Sequence, residues 1–170
     1  EQVGENGRPG DTKSAETPGQ MDRIFPIRDD QLRVGENMIA IRMSSHSGTL
    51  HLAAPIHGVA MVDYRAPEDA ILRHYWLSLL PFGAFALGAL YFTTMAVVGR
   101  QRLSSALIAG MSLVVAMQLL IEVSRGLTAY AYPVHDLRLI GIATFSALFG
   151  VLLIIFLGAR LVDGRHEFVF

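Results

Sequence analysis

The chain has 170 residues, 52% of them hydrophobic, with no cysteine and a net charge of −1. The missing thiols exclude disulfide frameworks, thiolate metal sites and cysteine nucleophiles, and a single lysine without any basic run excludes a nucleic-acid surface. Charge is uneven: residues 1–73 hold eight Lys/Arg and eleven Asp/Glu, whereas 74–170 hold six and four, so the two halves are read separately.

Residues 1–20, EQVGENGRPGDTKSAETPGQ, offer almost nothing to bury, and ordering them would cost backbone entropy with little return. The composition predicts a disordered lead or surface loop. The first residue is Glu1 rather than Met, with no basic-then-apolar signal segment behind it; a processed or truncated start, in a piece of a longer protein, is expected.

Residues 21–65 carry the period of a sheet. Ile24, Phe25 and Ile27 flank Pro26, which suits an edge strand because proline cannot donate to a ladder. After the turn chemistry of RDDQLRVGEN, Ile39, Ile41 and Met43 alternate with Met38, Ala40 and Arg42, predicting a strand with one buried face. HSGTLHLAAP reads as a loop or short strand, and IHGVAMVDY as a further strand with a glycine bulge. Three or four strands are too few to close a sandwich, so most of the sheet's partners are expected outside this chain.

Residues 66–74 read as a helix start: Pro67 suits the first turn, and Glu68 and Asp69 favour its positive end. Three stretches without Asp, Glu, Lys or Arg follow, at 74–99, 103–121 and 139–159. They span 26, 19 and 21 residues, and a hydrocarbon core requires about 20 helical residues. Three membrane helices are predicted, over 75–98, 103–122 and 138–161, with Pro81 inside the first. Arginines place the ends: Arg100, Arg102, Arg160 and Arg165 outweigh Arg125 and Arg138, which puts the first pair and the end at 162–170 in the cytoplasm and the amino-terminal segment outside. Tyr75, Trp76, Tyr130 and Tyr132 then fall near the outer face as an aromatic belt.

RVGENMIAIRMSSHSG followed directly by apolar helices resembles the end of the jelly-roll sensor domain of bacterial seven-transmembrane receptors with diverse intracellular signalling modules. The matching residues are Gly35, Asn37, Ile39, Ala40, Ile41 and Arg42, and the likeness covers roughly residues 21–160. The resemblance implies an extracytoplasmic partial jelly roll that senses a ligand, seven helices in a bacterial inner membrane, and a cytoplasmic diguanylate cyclase or histidine kinase output. This chain carries three of those helices and no output domain.

Glu122 and Arg125 stand three apart and can share one helix side at the outer end of the second span. GLTAYAYPVHDLR adds Tyr130, Tyr132, His135 and Asp136. These six residues are the candidate ligand site, weighed against an interfacial ion pair and an ordinary polar, aromatic connecting loop. His46, His51 and His57 lack the spacing and nearby carboxylates of a metal site, and no metal is expected. The small residues Ser104, Ser105, Gly110, Ser112, Gly141, Ser146 and Gly150 suit helix packing. No nucleophile elbow, Walker loop, HExxH or acid–base carboxylate pair is present, so neither catalysis nor a cofactor is expected.

The leading expectation is the input region of a signalling receptor for a small carbohydrate or carboxylate, as a monomer or homodimer. The alternative is a small accessory subunit of a larger membrane complex, and a weaker one is a fragment of a membrane enzyme or transporter.

Overall fold

The computed structural model describes residues 2–48, 50, 56, 58–61, 67–128 and 130–167, with backbone alone at 67–74 and 162–167. The chain divides into two compact units, Glu1–Leu72 with Arg125–Leu139, and Arg73–Ser124 with Ile140–Phe170. Three long helices are present: α1 (Pro67–Val98), α2 (Arg102–Leu127) and α3 (Tyr132–Glu167).

The helices are apolar on all sides, without a polar face that would call for water along one flank. Their spans Tyr75–Val98, Arg102–Leu127 and Tyr132–Leu161, of 24, 26 and 30 residues, are long and apolar enough to cross a membrane. This is the architecture of a multi-pass membrane protein. Polar side chains inside the spans turn back on their own helix: Thr94 Oγ1 donates to the Leu90 carbonyl (3.0 Å), and Thr144 Oγ1 to that of Ile140 (2.8 Å). Hydroxyls bonded this way present little polarity to hydrocarbon. Proline opens two of the helices, at Pro67 and at Pro133 in the first turn of α3, where a missing N–H costs nothing. Gly99 ends α1, its N–H donating to the Met95 carbonyl at 2.8 Å.

In the helical unit α2 supplies most of the buried side chains, Ala109, Ser112, Val114, Ala116 and the fully enclosed Val123, and α1 adds Ala89. A methyl added at Gly110 would stand 3.6 Å from Leu152 Cδ1, and one at Gly141 3.2 Å from Ile121 Cδ1. The two contacts are eleven residues apart on both α2 and α3, which fixes the helices antiparallel and in register. A methyl at Gly88 would meet Ser112 Oγ at 3.6 Å, so α1 packs on the same helix. Small residues permit this close approach. Gly150 has nothing within 4 Å of such a methyl and Ser146 is exposed, so neither meets another helix among the described residues. At one end of the bundle Arg160 Nη2 reaches Oε1 of Gln101 (3.4 Å), which lies between Arg100 and Arg102 in sequence, and the guanidinium lies 5.7 Å from the Phe156 ring centre.

The amino-terminal unit is built from turns. Among the described residues it holds no strand, only isolated bridges between Arg8 and Thr17 and between Gln20 and Ala131, and one 3-10 turn at Asp29–Gln31. The partial jelly roll expected at 21–65 is therefore not formed by the residues described. Met38 is 93% exposed and Ile39 56%, so neither face of the alternating run is covered. Alternation specifies which side chains share a face, but a strand also requires a neighbour to complete its ladder. The expected strand at 56–64, with His51 and His57, lies partly or wholly outside the described residues.

Candidate functional site

The amino-terminal unit gathers around the connection between α2 and α3. Arg125, in the last turn of α2, donates from Nε and Nη2 to the two carboxylate oxygens of Asp22 at 2.8 and 2.7 Å. Both partners are partly sheltered, at 22% and 34% side-chain exposure, and the paired geometry is the strong form of an Arg–carboxylate contact. Arg125 thus has a partner 103 residues away in sequence, which helical spacing could not point to. Glu122 is exposed on α2 and belongs to the helical unit.

Main-chain bonds extend the same contact. The Met21 N–H donates to the Tyr130 carbonyl (3.1 Å) and the Tyr132 N–H to the Gly19 carbonyl (3.0 Å), either side of the Gln20–Ala131 bridge. Gln20 is held in turn by Asn6, whose side chain accepts from the Gln20 N–H and donates to its carbonyl, both at 2.8 Å.

His135 and Asp136 lie in the first turns of α3 and are each 2% exposed. The Tyr130 hydroxyl and His135 Nδ1 are 3.0 Å apart, with their rings near parallel at 14°. Asp136 Oδ2 accepts the Leu50 N–H at 2.7 Å. Burying a carboxylate and an imidazole is tolerable only when their polar atoms are bonded, and among the described residues no buried side-chain N or O lacks a partner. Of the six candidates, the structure pairs Tyr130 with His135 and separately buries Asp136 against the Leu50 N–H, with Tyr132 at the helix start and Arg125 in the last turn of α2. Their bonds fasten the helix connection to residues 19–22 and 50.

Glu16, which the sequence hid in a low-complexity run, anchors a second cluster. The Ser44 hydroxyl donates to its carboxylate, as do the backbone N–H groups of His46 (2.9 Å) and Ser47 (2.8 Å). The hydroxyls of Ser44 and then Ser47 hold its pKa down, lowered to about 2. No metal-binding group of three His, Cys, Asp or Glu side chains occurs among the described residues.

Comparison with protein-family models, with curated proteins and with solved structures finds no match for this chain.

Proposed function

We propose that this chain is the input region of a membrane signalling receptor, with residues 1–72 on the extracytoplasmic side of a bacterial inner membrane. A small carbohydrate or carboxylate bound outside the membrane biases the α2–α3 connection toward one of two arrangements, and a cytoplasmic output reads the shift. The carrying observation is that residues 19–22 and 50 are bonded directly to Arg125, Tyr130, Tyr132 and Asp136, where one spanning helix ends and the next begins. Glu122 and His135 complete the set of residues assigned to ligand response. Orientation rests on Arg100, Arg102 and Arg160 gathering at one end of the bundle.

The accessory-subunit reading draws on a different observation, the exposure of Met38 and Ile39 together with the most apolar stretches of the α1 and α3 spans, which bury no residue within the chain. Purification in mild detergent separates the two. A receptor input region should elute as a monomer or homodimer, and stoichiometric recovery with a large assembly would overturn the receptor reading.

A further inference from the structure

A cleft of about 410 Å³ opens in the amino-terminal unit, apart from Tyr130, His135 and Asp136, and is lined by Arg8, Gly10, Asp11, Ser14, Thr17 and Arg42 among others. The volume falls within the roughly 300–1,000 Å³ of small-molecule sites. Hydrogen bonds hold the backbone of its walls, and the Arg8 and Arg42 side chains are exposed. Arg8 and Thr17 exchange main-chain hydrogen bonds at 2.8 and 2.9 Å, closing the loop that forms one wall. Gly7, at φ +71°, permits this closure, since a methyl there would sit 2.3 Å from the Thr17 carbonyl oxygen. The Gly10 N–H donates to Ser44 Oγ at 3.1 Å, and Ser44 is itself gripped by Glu16, so the backbone two residues beyond Arg42 is tied to the opposite wall.

Neither Arg8 nor Arg42 has a hydrogen-bond or ion-pair partner for its guanidinium among the described residues. With Asp11 they give the cleft a charge of +1, in a segment where eight basic residues face eleven acidic ones. A locally cationic recess on an acidic segment attracts anions there and repels them elsewhere. Guanidinium forks match planar carboxylates, and two forks match two carboxylates. The hydroxyls of Ser14 and Thr17 and the carboxylate of Asp11 add partners for a hydroxyl on the same molecule.

We infer that Arg8 and Arg42 form a binding site for a small organic di- or tricarboxylate. The inference extends the receptor reading by naming a ligand class, and because binding is measured directly its failure leaves the purification test of that reading unaffected. The full chain in detergent is titrated calorimetrically with citrate, and separately with succinate and inorganic phosphate. Citrate should bind with Kd of about 0.1–1 mM, and Arg8→Gln or Arg42→Gln should each weaken it about tenfold. Arg42→Lys, which keeps the charge without the fork, should fall between, and Arg28→Gln, outside the cleft, should leave affinity unchanged. Absence of citrate and succinate binding, or citrate affinity unchanged in the Arg8→Gln/Arg42→Gln double variant, overturns the assignment. Phosphate binding as tight as citrate overturns the carboxylate class.

Discussion

Glu16 and Gly35 show how much a single residue does in the amino-terminal unit. The Glu16 carboxylate joins the lead to the SSHSG turn, and its pKa in the fold, about 2, lies below the ordinary 4.5. A depressed carboxylate stabilises the fold above its unfolded pKa and loses that contribution as pH falls through its folded pKa. Hydrogen exchange at the His46 and Ser47 amides should therefore accelerate, relative to intrinsic rates, as pH is lowered from about 4.5 to about 2. In Glu16→Gln these amides should exchange faster at neutral pH and show little change across that window. Gly35 sits at φ +103° within a turn that the Asn37 side chain closes, accepting from the Arg33 N–H (2.9 Å) and donating to the Arg33 carbonyl (2.8 Å). Gly35→Ala should cost about 1 kcal/mol locally, read as lost protection of the Arg33 amide, since a side chain resists that backbone region. The turn chemistry of RDDQLRVGEN made this turn legible in the sequence. Glu16 was not legible, because its partners lie 28 to 31 residues away and nothing local distinguishes it from the solvated acids around it.

Helices were the most readable elements, since a run without charge longer than a bilayer is thick has few other uses. Their contacts were less so: Gly141 and Gly150 look alike in sequence, yet only the first meets a neighbouring helix. Gly141→Leu should force α3 away from Ile121, while Gly150→Leu should be neutral. The cysteine-free chain gives a clean background for the measurement. A flexible bifunctional thiol reagent should join cysteines placed at Gly110 and Leu152 in otherwise native protein, and the yield should drop in Gly141→Leu but not in Gly150→Leu. The run at 38–43 failed in the opposite way. Its alternation was plain, but the covering neighbour that turns alternation into a strand is not encoded in the run itself.

Across the whole molecule, the Asp22–Arg125 pair joins the amino-terminal residues to the end of α2. Such a partly exposed pair is worth about 1 kcal/mol, so Asp22→Asn should loosen this attachment without unfolding the helices. Limited proteolysis should cut near residue 22 faster, with the helical circular dichroism retained. In membrane vesicles, an impermeant maleimide should label a cysteine at Met38 from the outside and one at Gln101 only after permeabilisation, and the reverse pattern would reject the proposed orientation. The separation of the paired residues also sets a timetable for biogenesis. Asp22 and the Leu50 amide leave the ribosome 103 and 86 residues before Arg125 and Asp136. At about 5–20 residues per second, these two groups wait roughly 5–20 s for their anchors. During that interval residues 19–22 and 50 lack the main-chain and side-chain partners that fasten them in the finished fold, so the amino-terminal segment is most in need of protection while α1 and α2 are still being made.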